Sequence, residues 1–331
     1  MGTYNGSRYL AEQLESLLNQ SVAPAELVVG DDGSVDDTIA MLEQFSSRAP
    51  FPVRITTNPK QLGYGENFLQ TAKRCTGDWV AFCDQDDVWL PSKLARCAET
   101  IEAGPANLGL IAHGAIVSDA DLREIARTDW PRPGLYSPLS LSPTWLVQGF
   151  RQVIRRSLLN DVPFSNRNLT WIGVPDAHDA WACLVATVTG AIAILDDPLV
   201  IYRRHDTNTT EIAGLNRATL FNRIKRKIRD NSTHYKEQAD LFRTIAQYVS
   251  SIGDSVSSNL ADQFVSGANR IAQLGERFAT RAQINPDNFL SGRATAFTRL
   301  VISGAYASKR RGGYGLAEGV VDMIRVTFPT S

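Results

Sequence analysis

Short apolar runs alternate with longer amphipathic segments over the N-terminal part of the chain. Between residue 26 and about residue 204, each β-branched or aromatic run is followed by a segment of helical period. This alternation is typical of α/β folds with parallel strands. The predicted strands are residues 26–29, 52–57, 78–83, 108–117, 191–195 and 199–203. The predicted helices are residues 7–19, 38–45, 66–75, 176–188 and one that begins near Pro91, and the proline-rich residues 129–143 are predicted to form a loop.

Beyond residue 216 the pattern changes to amphipathic helices with few strand signals. Leu241, Ile245 and Val249, for example, are spaced as one face of a helix. The serine-rich residues 250–258 predict a break between two helices. We therefore expect an α/β domain over residues 1–214 and a mainly helical region over residues 215–331.

Composition and charge support this division. The 331 residues are 43% hydrophobic and 21% charged, which excludes a disordered chain. The net charge of −1 conceals an acidic part, with 17 basic and 26 acidic residues over 1–214, and a basic part, with 17 basic and 9 acidic residues over 215–331. The basic part is either a solvated helical face or a surface for an anionic partner. It includes a tight basic cluster of Arg223, Lys225, Arg226, Lys227 and Arg229.

No segment of the sequence is predicted to be a membrane span or a secretion signal. The apolar run at residues 191–195 ends at Asp196 and Asp197, short of the roughly 20 residues that a membrane helix needs. The N-terminus lacks a basic region followed by an apolar run. We expect a cytoplasmic protein. The four cysteines have no C-x-x-C spacing and are expected to be buried free thiols.

Carboxylates follow two of the predicted strands. Asp84 and Asp86 are two residues apart, so both can face one ligand while Gln85 faces away. Such a pair beside a cleft suits Mg²⁺ or Mn²⁺ that also contacts substrate phosphates. An EF-hand is excluded, because Val88 and Trp89 stand where an oxygen ligand and a glycine are required. The alternative is that these aspartates, Asp87 in particular, only cap the following helix.

The turn Gly30-Asp31-Asp32-Gly33-Ser34 has two interpretations, a ligand site or ordinary turn chemistry. No G-x-x-x-x-G-K-[ST] and no G-x-G-x-x-G before a helix occurs, so neither a P-loop ATPase nor a Rossmann dehydrogenase is supported. Any bound phosphate is therefore expected to be held by a metal and by side chains.

Taken together, the motifs resemble family 2 glycosyltransferases of the GT-A fold, and most of all the bacterial rhamnosyltransferase-like branch. The resemblance covers residues 1 to about 210, while the helical region resembles that branch only loosely. Six motifs appear in the family's order: Thr3-Tyr4-Asn5-Gly6; Asp31-Asp32-Gly33-Ser34; Asn58 with Gly63-Tyr64-Gly65-Glu66-Asn67-Phe68; Asp84-Gln85-Asp86-Asp87-Val88-Trp89; His178-Asp179-Ala180-Trp181; and Tyr202-Arg203-Arg204-His205 with Asn208.

The resemblance implies a mostly parallel central sheet flanked by helices and a role for each motif. Asp179 matches the catalytic base, and Asp86 matches the metal ligand. His205 would complete the metal site or contact the diphosphate. The residues that match donor nucleotide contacts are Thr3, Asn5, Asp32 at the base, Asn67, Asp84 near the ribose, Arg203 and Arg204. Supporting roles are implied for Asp31, Asp87, His178, which would orient the base or pack, and Trp181, which would form an apolar wall or pack.

Two departures from the family pattern matter. Met1-Gly2 stands where family members have an apolar run that forms the first, central strand. We expect a truncated first strand, either because the natural chain starts upstream or because the sheet has lost most of that strand. Gln152-Val153-Ile154-Arg155-Arg156 resembles the Q-x-x-R-W motif of processive polymerases but lacks its tryptophan and precedes Asp179, so we expect a non-processive enzyme.

The expected function is metal-dependent, inverting transfer of one sugar from a nucleotide-diphosphate sugar to a hydroxyl of a cell-surface polysaccharide or lipid-linked acceptor. Likeness to the rhamnosyltransferase branch favours dTDP-rhamnose as donor, followed by a UDP-hexose. The basic C-terminal region predicts peripheral contact with the inner face of the plasma membrane, and no nucleic-acid partner is expected. The alternative is a catalytically inactive binding or scaffold protein on the same fold. A nucleotidyltransferase is a weaker third option, because no glycine-rich basic phosphate loop is present.

Overall fold

The computed structural model describes residues 1–128, 132–164, 177–206, 232–284 and 290–306, and four further residues, Gly319, Asp322, Met323 and Val326. It divides into two compact units. The first unit comprises Met1–Pro138 and Thr144–Asn208, and the second comprises Leu139–Pro143 and Thr209–Ser331. The predicted boundary at residue 214 lies outside the described residues, as do the basic cluster at residues 223–229 and Asn208 of the last motif.

The first unit alternates strands and helices, as the apolar pattern predicts. The strands are β1 (Gly2–Thr3), β2 (Leu27–Asp31), β3 (Val53–Thr57), β4 (Trp79–Ala81), β5 (Val88–Trp89), β6 (Leu108–Ser118), β7 (Glu124–Arg127), β8 (Gly134–Tyr136), β9 (Gln152–Arg155) and β10 (Ala191–Arg203). The helices are α1 (Ser7–Leu18), α2 (Thr38–Arg48), α3 (Tyr64–Lys73), α4 (Lys93–Ala103), α5 (Arg156–Asn160) and α6 (His178–Thr189). The four strands β5, β7, β8 and β9 were not predicted, and β8 lies inside the predicted loop.

The first sheet is parallel, in the order β1-β2-β3. All five residues of the central strand β2 are buried. The first strand β1 has two residues, and the Met1 amino group donates a 2.7 Å hydrogen bond to the Val28 carbonyl. A cavity of about 160 Å³ lies beside Met1, lined by residues of β2 and β4.

The second sheet is mixed, with the order β4-β9-β6-β10-β5 and with β7 and β8 paired to β6 and β10. Its long strands β6 and β10 are parallel, whereas its other pairs are antiparallel. The α/β fold is confirmed, but the mostly parallel arrangement holds only for the first sheet. Buried apolar runs do not specify pairing direction. The unpredicted antiparallel partners have only two to four residues and give little signal.

The two strands predicted at residues 191–195 and 199–203 form one strand, β10. Its pairing with β6 shifts register on both sides of Pro198. A β-bulge accommodates a proline that cannot donate to the ladder. Opposite the bulge, a Cβ at Gly114 would lie 3.0 Å from the Asp197 carbonyl oxygen, so a glycine permits the close approach. The polar residues Asp196 and Asp197 and the following Pro198 therefore interrupt the regular pairing of β10 without ending the strand.

In the part of the chain that the structure describes, the second unit contains three long helices, α7 (Ser232–Gly253), α8 (Ser258–Ala282) and α9 (Leu290–Ile302). The predicted break at residues 250–258 is confirmed. Buried apolar side chains line α7 and α8, and the Phe242 and Phe278 rings lie 5.1 Å apart. Arg281 and Asp322 form a buried ion pair with a 2.6 Å contact. Among the described helices of both units, none combines the length and apolar character required to span a bilayer.

Candidate active site

Three carboxylates converge where β4 ends and β5 begins. Asp84, Asp86 and Asp87 each place one carboxylate oxygen within 4.8 Å of the others. Asp87 is fully buried, and its Oδ1 accepts a 3.1 Å hydrogen bond from the Arg203 backbone N–H. Its Oδ2 has no hydrogen-bond partner among the described residues. Helix α4 begins only at Lys93, so Asp87 does not cap that helix. The capping interpretation of the sequence is therefore wrong for Asp87, which instead holds the end of β10.

His205 joins this acidic cluster from the end of β10. Its Nε2 lies 2.9 Å from Asp86 Oδ2. The imidazole packs against the Tyr9 ring from α1, with centroids 4.7 Å apart, and the Arg203 guanidinium lies 4.5 Å from the centroid of that ring. Tyr9 therefore orients two residues of the last motif, a role that no sequence pattern indicates.

The two arginines of that motif occupy different environments. Arg203 is 3% exposed, and its guanidinium donates to the carbonyls of Asp86 and Ala120 at 3.0 and 2.9 Å. Arg204 is half-buried, and its backbone N–H donates to the Ser118 carbonyl. The Arg203 side chain thus braces the loop that carries the acidic cluster. Contact of either arginine with a diphosphate stays a prediction.

The acidic cluster has the electrostatics of a cation site. Burial, followed by the charges of Asp86 and Asp179, raises the pKa of Asp84 to about 7. Burial and the charges of Asp86 and Asp84 also raise the pKa of Asp87 well above its usual range. Three crowded carboxylates, of which Asp87 is buried and the other two are half-buried, repel one another unless a cation or protons offset their charge. Carboxylate oxygens with one imidazole nitrogen suit Mg²⁺ or Mn²⁺, so the residues present fit such an ion.

Asp179 lies in the first turn of α6. Burial raises the pKa of this carboxyl to about 6, opposed by the N–H groups of Ala180 and Gly149. The carboxylate is close enough to Asp84 to raise the pKa of Asp84 as well. The structure thus brings the predicted base into the same electrostatic environment as the acidic cluster. An aspartate that ionises near pH 6 can accept a proton at neutral pH.

The two aromatic neighbours of Asp179 are buried. His178 stacks on Phe68 at 4.2 Å and contacts Phe82 edge-on at 4.8 Å. Trp181 is fully buried and contacts the Phe164 ring edge-on at 5.8 Å. The sequence analysis left two roles open for each residue, and for both side chains these contacts fit the packing role. They anchor the start of α6.

Asp31 organises the turn after β2. Its Oδ1 accepts hydrogen bonds from the hydroxyls of Thr3 and Ser34, and its Oδ2 accepts from the N–H groups of Gly33 and Ser34. Gly33 has φ +87°, which favours glycine. Asn5, with φ +47°, accepts the Val35 N–H at its side-chain oxygen. These contacts join the first motif to the second.

Asp32 fixes the next loop in a similar way. Its Oδ1 accepts from Asn58 Nδ2 at 2.9 Å and from the Leu62 N–H at 2.7 Å, and its Oδ2 accepts from the Gly63 N–H at 2.8 Å. Asn67 accepts from Asn58 and donates to the Gly30 carbonyl. The side chains of Thr3, Asp32 and Asn67 are buried in this network. Their contact with a nucleotide stays a prediction.

Gln85 connects the acidic cluster to the first motif. Its Oε1 accepts the Tyr4 N–H at 2.9 Å, and its Nε2 donates to the Tyr4 carbonyl at 3.1 Å. A Cβ on Gly6 would lie 2.2 Å from Gln85 Oε1, so this packing requires a glycine. The contact spans 81 residues, and local sequence patterns cannot reveal it.

Comparisons with known proteins agree with this fold. The crystal structure of S. aureus TarS 1-349 has a TM-score of 0.50 to this chain at 17% sequence identity, covering 98% of this chain and 89% of that one. This similarity defines the GT-A fold of nucleotide-sugar glycosyltransferases. Residues 1–162 match the family described as Glycosyl transferase family 2. Residues 1–162 therefore carry the sequence pattern of the family 2 glycosyltransferases.

Two curated relatives illustrate the family. An uncharacterized glycosyltransferase of Nostoc sp. is 34% identical over 217 residues, which cover 63% of this chain and 64% of the relative. A protein named dTDP-rhamnosyl transferase RfbG from Shigella flexneri is 31% identical over 111 residues, which cover 32% of this chain and 38% of the relative. The matched region therefore spans less than two thirds of either relative.

Proposed function

We propose that this protein transfers a single sugar from a nucleotide-diphosphate sugar to a hydroxyl of a cell-surface polysaccharide or lipid-linked acceptor. The observation that carries the proposal is the convergence of the acidic cluster, His205 and Asp179 in one unit. The first three motifs support it indirectly, because their hydrogen bonds hold the loops around this site. Single transfer, and not processive polymerisation, agrees with the missing tryptophan after Arg155.

In this proposal Asp179 is the base. The acceptor hydroxyl oxygen attacks the anomeric carbon from the face opposite the diphosphate and gives its proton to the Asp179 carboxylate. The bond between the anomeric carbon and the diphosphate oxygen breaks, and its electron pair leaves with the nucleoside diphosphate. One displacement of this kind inverts the anomeric configuration.

Asp86 and His205 are the proposed metal ligands, with Asp84 and Asp87 beside them. A divalent cation bound there would offset the negative charge that develops on the departing diphosphate. Without a cation, the same charge would face three carboxylates. Asp84 is proposed to lie near the donor ribose, and Asp32 near the base. Thr3, Asn5, Asn67, Arg203 and Arg204 are proposed to complete the donor site.

For the donor, we favour dTDP-rhamnose and place a UDP-hexose second. Support for the first comes from the similarity to the Shigella flexneri protein, which is named a dTDP-rhamnosyl transferase. Support for the second is that TarS has been crystallised in complex with UDP-GlcNAc. Release of UDP from UDP-glucose and of dTDP from dTDP-rhamnose, each with Mn²⁺, compares the two donors directly.

The test of the chemistry is an Asp179→Asn variant. Loss of a positioned base typically lowers a rate by about 10²- to 10⁴-fold, so kcat for nucleoside diphosphate release should fall in that range. Asp161→Asn, at an exposed position of the same unit, is the matched control and should retain full activity. An Asp179→Asn rate within threefold of wild type would rule out Asp179 as the base.

We further propose peripheral contact of the basic C-terminal region with an anionic membrane. Its excess of 17 basic over 9 acidic residues motivates this, since each basic residue near an anionic surface contributes about 1 kcal/mol. Co-sedimentation with anionic vesicles at low salt should exceed that with neutral vesicles. Equal binding of the protein to anionic and neutral vesicles would contradict the proposed membrane contact.

A further inference from the structure

A single buried 3₁₀ turn, Gly149–Arg151, contacts several parts of the candidate site at once. It immediately precedes β9 and contains no residue of the six motifs. All three of its residues are buried. Gly149 contacts the start of α6, and Phe150 contacts the end of β10 and the Lys93 side chain from α4. Arg151 donates a 2.7 Å hydrogen bond to the His113 carbonyl in β6.

Gly149 packs against the start of α6. A Cβ at Gly149 would lie 2.4 Å from His178 Nε2, so the turn can approach α6 this closely only with a glycine. The Gly149 N–H also lies near enough to the Asp179 carboxylate to lower its pKa. Gln152, directly after the turn, donates a 3.1 Å hydrogen bond to the Asp179 carbonyl. The turn and the first residue of β9 thus contact the proposed base on two sides.

Phe150 connects the same turn to the end of β10. Its ring stacks on Tyr202 at 4.6 Å with an interplanar angle of 5°. Tyr202 directly precedes Arg203, whose backbone and side chain bond Asp87 and the Asp86 carbonyl. A shift of the turn would therefore displace Tyr202 and, through Arg203, the residues of the acidic cluster.

Lys93, at the start of α4, fixes the turn from the side of β5. Its Nζ donates a 2.8 Å hydrogen bond to the Phe150 carbonyl and lies 3.8 Å from the Trp89 ring centroid. The side chain is fully buried, and lysines are almost never fully buried unless they are paired. Burial lowers the pKa of Lys93 to about 8, and its charge moderates the raised pKa values of Asp84 and Asp87.

We propose that Lys93 and the Gly149–Arg151 turn form a positioning element that holds the base Asp179 in fixed geometry relative to the acidic cluster. The inference deepens the proposed function and rests on it. Lys93 touches no reactant, so it is a positioning residue. Its ammonium group fixes the Phe150 carbonyl, and through it the turn that packs against both Asp179 and Tyr202.

The kinetic test uses two variants and two controls. In Lys93→Met the hydrogen bond to Phe150 is lost, and in Gly149→Ala the added Cβ displaces His178. Each should lower kcat for UDP release from UDP-glucose with Mn²⁺ by about ten- to hundredfold, as misplacement of a catalytic group does. The dissociation constant of UDP with Mn²⁺ should stay within twofold of wild type. The controls are Arg96→Met, on the same helix with a side chain that is 41% exposed, and Gly77→Ala, where a Cβ meets its nearest neighbour at 3.6 Å. Both should behave as wild type.

A pH profile separates positioning from general destabilisation. Displacing Gly149 removes an N–H that lowers the pKa of Asp179, so the acid limb of kcat/KM for Gly149→Ala should move to higher pH. The other titratable groups near Asp179 are His178, Asp84 and Cys183; the variant replaces none of them, and of the three only His178 is displaced by the added Cβ. An unchanged acid limb together with a kcat loss would overturn the role assigned to Gly149.

Hydrogen exchange tests the element without relying on turnover. In Lys93→Met, peptides covering residues 144–155 and 177–184 should exchange faster together, while a peptide from α1 should not change. Faster exchange of the first peptide alone would overturn the coupling, as would a loss of UDP affinity equal to the loss in kcat. Failure of the wild-type protein to bind or release any nucleotide would refute the proposed function, and the exchange result would still decide on the positioning element.

Discussion

The turn at Asp31 and Asp32 and the acidic cluster at Asp84, Asp86 and Asp87 both follow buried strands, but their carboxylate oxygens are used differently. In the turn, every oxygen of Asp31 and Asp32 accepts hydrogen bonds from the protein. In the acidic cluster, carboxylates crowd together, and Asp87 Oδ2 has no partner among the described residues. A satisfied network stabilises a fold, whereas crowded carboxylates raise its free energy until a ligand offsets their charge. The turn is thus a structural scaffold, whereas the cluster has the properties expected of the proposed cation site.

The largest expected effect concerns the chemistry beside the cluster. The pKa of Asp179 is raised to about 6, and the base must be ionised to accept a proton. As the pH falls below 6, the protonated fraction grows, so kcat/KM should decline by about tenfold per pH unit. A rate that stays constant from pH 7 to pH 4.5 would contradict the assignment of Asp179 as base.

Matched substitutions of one aspartate from each region should change stability in opposite directions. Asp32→Asn replaces an acceptor oxygen by an NH₂ group that faces N–H donors, and should lower the free energy of unfolding by about 1 to 3 kcal/mol. Asp84→Asn removes the charge of a half-buried carboxyl whose pKa is raised from 3.8 to about 7. In metal-free protein at pH 8, it should raise the free energy of unfolding by roughly 1 to 3 kcal/mol.

The stabilisation expected from Asp84→Asn follows from the linkage between proton binding and folding. A carboxyl with a raised folded-state pKa is ionised above pH 7 at a cost to the fold, and this cost disappears as the pH falls below 3.8. The gain from Asp84→Asn should therefore vanish near pH 4 and should shrink when Mn²⁺ is added. Urea unfolding at pH 8 and pH 4, with and without Mn²⁺, measures each of these changes. Destabilisation by both variants at pH 8 would remove the distinction between the two regions.

The smallest effect is expected at Asp36, an exposed member of the scaffold region. Its carboxylate accepts the N–H groups of Ser7 and Thr38 at the starts of α1 and α2. Burial opposes ionisation, but these bonds prevail and lower the pKa to about 2. Asp36→Asn should cost about 0.5 kcal/mol in the free energy of unfolding, with nucleotide affinity unchanged. The wild-type advantage should be lost as the pH falls towards 2, and weaker nucleotide binding by this variant would place Asp36 in the site.

Much of this arrangement follows from the sequence, for physical reasons that differ between residues. Asp84 and Asp86 could be placed together because they follow a buried strand at a spacing of two, while Asp179 and His205 were assigned through resemblance to a family. Tyr9, Lys93 and Gln152 were missed as supports of the site. Lys93 reaches a carbonyl 57 positions away, and no local pattern encodes such a contact. The bulge in β10 was likewise misread as a break, because neighbouring strands, not local propensity, keep the chain extended there.

The most direct test of the central claim is a calorimetric titration of UDP and dTDP, each with and without Mn²⁺, into the wild-type protein and Asp86→Ala. The account predicts tighter nucleotide binding by the wild type with Mn²⁺ and loss of that enhancement in Asp86→Ala. The nucleotide bound more tightly would identify the base of the donor. Equal binding by both proteins with and without Mn²⁺, or no binding by either, would contradict the claim that the acidic cluster is a cation site for a nucleotide-diphosphate donor.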